Sequence, residues 1–478
     1  MLDRLRSILC GMEVNNRIMR RQTEYRYLKL ANILKEQILT GVIPPGEFLM
    51  PENELSKTYG MSRTSVRRSL EQLVQEGLIE KEVGRGTRVK PGLTIGSGGG
   101  QTLRILAPYP SYFMDAGFYI ILEAFQKEFP SVDVKITNLP NVNYWRSINM
   151  TKDIGFQPDL VFVSDRHFLQ SGYAEHFTPI QETSFSREQM YDKLVNSFCH
   201  ENKLMAAPLT FSPVFLAYNS TIFEKYQVEK PQPGWTVHDF IRSASKLTLD
   251  TNGDGILDLY GFTLSASLQR WTVFLLRNGA KTLGKDIDEN ILYETLNFFH
   301  DLIYRYKVAH VISGAQDLIR SNSFFYNKAA IVLTTIYEMS YWEQEEIDFE
   351  VNIAPLPFGT HSSTLLMANA LMIPSQAQET QLAQKFIQVA LSQSVQQNLC
   401  ESTPFLSVFE NINERVKHES FLKTINIYRD MMSNNFFLDE LVTENEIEDI
   451  MALTQMFWHG LESAKRTTEM WKALSTQA

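Results

Sequence analysis

Gly60-Met61-Ser62-Arg63-Thr64-Ser65-Val66-Arg67-Arg68 is the stretch whose reading decides the fold of the first hundred residues. A helix that reads base edges in the major groove needs hydrogen-bond donors near its N-terminus, a tight turn before it and an apolar rear face. Gly60 supplies the turn and Ser62 the cap. Arg63 and Arg67 stand four apart and project from one face, with Ser62, Thr64 and Ser65 free for phosphates or bases. Val66, Leu70, Leu73 and Val74 form the opposite, apolar stripe, and Gly77 closes the helix. Upstream, Tyr27 to Thr40 carries Leu30, Ile33, Leu34, Gln37 and Ile38 at helical spacing, Pro44-Pro45-Gly46 breaks the chain, and Glu52 to Tyr59 is a short helix with Leu55 inward. Downstream, Leu78 to Val83 and Thr87 to Lys90 read as strands joined by Gly84-Arg85-Gly86, a hairpin tip whose lone cation suits a minor groove or a phosphate. The alternative reading is a generic three-helix bundle with a solvated basic face.

Taken as a set, these residues resemble the winged helix-turn-helix of the GntR family over positions 25–91. The match runs through Ile38-Leu39-Thr40-Gly41, Pro45-Gly46-Glu47, Pro51-Glu52-Asn53-Glu54-Leu55, Ser62 to Arg67, Glu76-Gly77-Leu78-Ile79 and Gly84-Arg85-Gly86-Thr87. The resemblance implies that Arg63, Thr64 and Arg67 contact double-stranded operator DNA and that Arg85 and Gly86 form the wing tip. It also marks a departure: many members carry a basic residue where this chain has Asn53, so that contact is expected to be weak or lost.

Charge follows the same division. Residues 1–92 carry 16 Lys and Arg against 11 Asp and Glu, while the rest carries 29 against 44, as expected if only the head touches phosphates. The Gly/Ser-rich run 92–100 reads as a flexible linker, with an N-terminal extension at 1–24 before the head. No stretch approaches the ~20 apolar residues of a membrane helix. Leu5 to Gly11 is too short and too charged for a lipoprotein signal. Three scattered cysteines, Cys10, Cys199 and Cys400, form neither a metal-ligand pattern nor a disulfide framework. A cytoplasmic protein without a cofactor is the expectation.

From residue 101 onward, strand-like and helical segments alternate: Leu103 to Ala107, Phe118 to Phe129, Val132 to Ile136, Pro158 to Val163. Such alternation predicts an α/β architecture with largely parallel sheets. Phe125 to Pro130, Gln157 to Val161, Gly172-Tyr173 with Phe177 to Ile180, Ala207-Pro208 leading to Leu216 to Asn219, Gly234-Trp235-Thr236 with Asp239-Phe240, Lys328 to Ile331, Ile373-Pro374 and Thr403-Pro404 resemble, in order, the extracellular solute-binding proteins of ABC importers, carbohydrate branch. The resemblance implies a multidomain chain: a winged helix-turn-helix (α+β) followed by a two-lobe, periplasmic-binding-protein-like α/β domain at 101–478.

Sugars are held by planar hydrogen-bonding side chains and aromatic faces. Asp165-Arg166 lies just past the third strand, where an open α/β sheet presents its ligands, and an Asp-Arg pair in carbohydrate-binding relatives contacts sugar hydroxyls. By the same resemblance Tyr337 and Phe162 fall at aromatic ligand positions, and Ser212 lies near an acidic one. The alternatives are a helix-capping surface ion pair for Asp165-Arg166 and core packing for Tyr337. Trp235 is expected to start a helix rather than to bind. Asp250, Asn252, Asp254 and Asp258 occupy Ca²⁺-loop positions 1, 3, 5 and 9, but Gly261 stands where the bidentate Glu belongs, which favours a turn over a metal site. The resulting expectation is a homodimeric transcriptional regulator sensing a sugar-like effector; the alternative is the same head fused to a carbohydrate-active or other enzyme domain.

Overall fold

The computed structural model describes residues 28–474 except 83, 94–100, 154–155, 172–175, 183–184, 186 and 313–322. The expected extension 1–24, Cys10, Val83, most of the Gly/Ser run and Gly172-Tyr173 lie outside the described residues. The chain packs as two compact units: residues up to Ser111 with Phe129–Phe162 and Ile373–Ala383, and Tyr112–Glu128 with Val163–Met372 and the remainder from Gln384.

In the first unit, the head consists of α1 (28–39), α2 (Glu52–Thr58), α3 (Arg63–Gln75), β1 (Ile79–Glu82) and β2 (Gly86–Val89). Leu30, Ile33, Leu34 and Ile38 of α1 meet Leu55, Val66, Leu70, Leu73, Ile79 and Val89 in one buried cluster, which removes from water the stripe that the helical period predicts. Val74, expected in that stripe, is exposed. Ser62 caps α3 by accepting from Ser65 N at 3.2 Å. At the other end Gly77 has φ +73, the left-handed conformation that lets the Gly77 and Leu78 amides reach back to Val74 O and Leu73 O. β1 and β2 pair antiparallel from Ile79↔Val89 to Glu82↔Gly86. The stretch that follows the Pro44-Pro45-Gly46 break, assigned to no element from the sequence, adds a third edge to this hairpin: Gly46 N donates to Val89 O, Val89 N to Glu47 O and Leu49 N to Thr87 O.

The same unit holds three parallel strands in the order β4 (Asp133–Pro140), β3 (Thr102–Tyr109), β5 (Leu160–Ser164). β4 runs four residues beyond its apolar alternation because Thr137 to Pro140 pair with Leu106 to Tyr109. Asp159, fully buried, fastens the sheet by accepting from Arg104 N at 2.8 Å and Glu379 N at 2.9 Å.

The second unit contains a mixed five-stranded sheet in the order Ala309–Ile312, Tyr260–Ser265, Ala329–Thr334, Phe215–Asn219, Val351–Ala354. The first two pairings are parallel and the last two antiparallel. Its core is aromatic, with Trp271 edge-on to Phe299, Trp458 and Trp471 and Phe240 edge-on to Phe262 and Phe358. The strand Ala207–Pro213 pairs antiparallel with residues 366–371. Trp235 does precede a helix start: Thr236 and Asp239 form a reciprocal capping box at the helix Val237–Lys246.

Candidate functional site

On the head, the structure puts Ser62, Arg63 and Thr64 on the exposed N-terminal turn of α3, with Arg67 exposed one turn later. Arg67 leans on Glu52 at the start of α2, Nη2 to Oε2 3.0 Å, and keeps 60% of its side chain exposed. Arg63 makes no ion pair among the described residues. Ser65, expected to face DNA, is instead buried: Ser65 Oγ lies 2.9 Å from Ser62 Oγ, and Ser69 Oγ donates to Ser65 O at 3.0 Å. The cap that starts the helix turns this hydroxyl inward. In the wing, Gly84 (φ +79) and Gly86 (φ +124) bracket Arg85, whose guanidinium reaches Glu82 at 2.8 Å and lies 5.5 Å from the Phe48 ring. Phe48 was not singled out in the sequence. It lies on the third edge, and only the pairing of that edge reveals it as a platform for the wing cation.

In the second unit, Asp165, Tyr337 and Ser212 come together with residues that sequence reasoning missed. Asp165 opens the short helix Asp165–Leu169 behind the Ser164 cap and accepts from Ala368 N at 3.0 Å. Burial holds its carboxyl far above the usual range, at about 7, against the pull of the Ala368 amide; Asp439 adds to the rise. Asp439 itself is raised to about 6, and the half-buried His167 is pushed down to about 4, by desolvation in both cases. Tyr337 is buried, touches Phe405 with ring centroids 5.9 Å apart and donates to Thr210 O at 3.2 Å. Ser212 is fully buried, and its hydroxyl is committed to backbone: it accepts from Ile336 N at 2.8 Å and donates to Pro213 O at 2.8 Å. Arg166 pairs with Glu444 at 3.2 Å, and Gln170 also donates to that carboxylate. Arg166 Nε and Glu444 Oε2 are both buried and make no hydrogen bond among the described residues. Phe162, in the first unit, is fully buried in β5, and its carbonyl accepts from Tyr144 at 3.0 Å.

Two charged groups escaped the sequence. Arg270 and Glu338 pair at 3.3 Å with side chains only 10% and 12% exposed, and Thr334 Oγ1 donates to Glu338 at 2.8 Å. Arg270 follows Gln269 in a four-residue helix and Glu338 shares its helix with Ser340 and Glu343, so nothing local marks either as buried or joins them into a pair. Tyr112, held well above its usual pKa by burial, feels both charges. A separate cavity of about 380 Å³, lined by Phe168, Lys193, Cys199, His200, Asp439 and Glu440 among others, falls in the range of small-molecule pockets and shares Asp439 with the surroundings of Asp165.

The Ca²⁺-like loop closes on itself. Asp250 accepts from the amides of Gly253, Asp254 and Gly255, and Asp258 accepts from Thr251 N and Oγ1. A Cβ added at Gly261, the position of the absent twelfth ligand, would run into the backbone of Ala244. The missing glutamate thus has a steric cause.

Comparison with known proteins places both regions. Residues 26–89 match the description "Bacterial regulatory proteins, gntR family", and residues 121–423 match "Bacterial extracellular solute-binding protein". The mannosyl-D-glycerate transport/metabolism system repressor MngR of Escherichia coli is 41% identical over 64 residues, 13% of this chain and 27% of that protein. The chain spans only about a quarter to a third of the length of the curated relatives it matches. Among solved structures, the ABC substrate-binding protein Lmo0181 of Listeria monocytogenes, in complex with cycloalternan, superposes with TM-score 0.65 at 15% identity, covering 78% of this chain and 98% of that one. UgpB of Mycobacterium tuberculosis, in complex with glycerophosphocholine, gives 0.64 at 16% identity, covering 80% and 98%. At such identities the likeness establishes the fold, and that fold is the one the family match requires. The chain therefore belongs to the bacterial extracellular solute-binding protein family through its large domain, and that domain follows a gntR-type winged helix-turn-helix.

Proposed function

We propose that this protein is a transcriptional regulator that senses a small solute, in the first instance a sugar or oligosaccharide, and that solute-driven closure of the large domain alters its affinity for operator DNA. The observation that carries the reading is the covalent union of an exposed cationic α3 with a solute-binding fold in one chain. A fold that exists to report occupancy by changing shape has here a DNA reader on which to act. Neither matched family is an enzyme family, which favours binding over turnover. In this reading the protein acts as a homodimer in the compartment that holds the DNA, on half-sites about 34 Å apart, the spacing of one helical turn. Asp165, Arg166 and Tyr337 contact the solute, joined by Arg270 and Glu338.

A thermal-shift screen of the full chain against mono- and oligosaccharides tests the sensor. A ligand at a hundredfold excess over its Kd stabilises by about 2.7 kcal/mol, an upward shift that is readily measured. The reading fails if no sugar shifts the transition while a non-carbohydrate solute does, or if the shifted protein hydrolyses its ligand.

A further inference from the structure

A glycine-rich joint between head and body predicts a head that hangs free, yet the head's interior is completed by residues from beyond that joint. Tyr109, the last residue of β3, is 9% exposed and lies inside the head's hydrophobic cluster. Its ring centroid is 6.2 Å from that of Tyr59, and Lys29 Nζ stands 5.2 Å above it. Gln37 of α1 is buried among apolar neighbours, a poor place for an amide unless its donors are satisfied. They are satisfied across the joint: Gln37 Nε2 donates to Asn138 O in β4 as well as to Tyr59 OH at 3.3 Å. One turn along, the fully buried Thr137 of β4 donates through Oγ1 to Thr40 Oγ1 at 3.2 Å. Burial raises the Tyr59 phenol to about 12, in keeping with a dry contact.

We propose that the head is seated on the carboxyl ends of β3 and β4, with Gln37 and Tyr109 as positioning residues, and that this seat rather than the Gly/Ser segment sets the direction in which α3 points. The inference rests on the regulator reading for its purpose but not for its geometry. Open α/β sheets present their ligand contacts beyond the carboxyl ends of their strands. β3 pairs in parallel with β5, whose end leads directly into Asp165. The seat is thus built on the strand that neighbours β5 in the sheet of its own unit. A shift of these strand ends moves Tyr109 and Asn138, which pack against and bond to the head, so the motion reaches α3 through Tyr59 and Gln37. Arg63 and Arg67 remain exposed in the seated head.

The test needs neither the solute nor the operator. In the full chain carrying Thr40→Cys and Thr137→Cys, mild oxidation is expected to close an intramolecular disulfide, seen by peptide mapping and absent from either single variant. Adding Tyr109→Ala is expected to slow closure about tenfold, the factor that corresponds to 1.4 kcal/mol of lost seating, and to speed amide exchange in residues 28–40 while the melting transition of the large domain stays in place. A chain that folds but does not cross-link, or cross-linking indifferent to Tyr109→Ala, overturns the seat. Retention of the same protein on a random-sequence 30-base-pair duplex at low salt, reported separately, decides whether the head binds DNA at all. A failed seat and a failed regulator reading are thereby told apart.

Discussion

The head and the large domain use their polar side chains in opposite ways. On α3 the chemistry-bearing groups point into solvent: Arg63 and Thr64 are exposed, and Arg67 forms an exposed ion pair with Glu52. Around Asp165 almost every polar atom already has a partner from its own chain, from Ala368 N and Thr210 O to the Arg270–Glu338 pair. A reader of DNA meets a ligand that is everywhere a polyanion, so its cations can wait in water at little cost. A small-solute site has to remove polar groups from water, and such groups are costly unless paired. The head therefore leaves its cations in solvent, whereas the large domain pairs the polar groups it buries.

That contrast can be broken most decisively through Asp165. Its folded-state pKa of about 7 lies above the ordinary 3.8. Between pH 4 and 7 the folded chain holds a proton that the unfolded chain has released, so stability falls as pH rises through this window. The shift corresponds to about 4 kcal/mol, complete by pH 8. Asp439, raised to about 6, acts in the same direction, whereas His167, lowered to about 4, acts in the opposite one below pH 6.5. The informative quantity is thus the difference between wild type and Asp165→Asn, a variant that keeps the oxygen facing Ala368 N and removes the charge. The variant is expected to gain on wild type from pH 4 to pH 8 in thermal melts. Parallel profiles would show that Asp165 is solvated as the head's residues are, and the contrast would collapse.

A second break concerns backbone rather than charge. Gly261→Ala places a Cβ against the Ala244 backbone and is expected to cost about 1–3 kcal/mol, measured as a lower melting temperature of the large domain. Gly86→Ala, on the exposed wing, meets only the Phe48 ring at 3.7 Å but carries the φ of +124, so its penalty is conformational and confined to the head. If both variants melt alike, the distinction between a packed body and an open reading surface is wrong at the backbone level.

What the sequence shows follows the same line. The head was readable almost residue by residue, because helix period, caps and a glycine-bracketed hairpin are local signals. It failed at Ser65, where a cap bond turned a hydroxyl inward, and at residues 46–49, where a strand edge has no partner until the hairpin folds back on it. In the large domain the alternating pattern revealed the α/β class and the start of the helix at Thr236. Arg270 meeting Glu338, Gln37 meeting Asn138 and Gly261 meeting Ala244 are long-range encounters that no periodicity encodes. Phe162 and Ser212, singled out by resemblance, lie wholly buried, since alignment of position does not say which way a side chain turns.

The smallest effects belong to the surface that is easiest to read. Arg63→Ala and Arg67→Ala are each expected to weaken specific operator binding by about 1–3 kcal/mol if the guanidinium forks a base edge, and to relax specificity at one position. Arg67 must first leave Glu52, an exposed pair of the kind that contributes little, so its loss should approach that of Arg63. Arg85→Ala is the useful contrast. Its guanidinium sits on a hairpin tip beside Phe48 and Glu82, and in the proposed reading it meets a phosphate, a contact that is blind to sequence. Its removal should weaken binding to all duplexes alike and lower the slope of log K against log salt by about one. Anisotropy titrations at three salt concentrations, with operator and scrambled duplex, distinguish the two roles. If Arg85→Ala changes discrimination while Arg63→Ala and Arg67→Ala change only the salt slope, then the wing reads and α3 merely holds on.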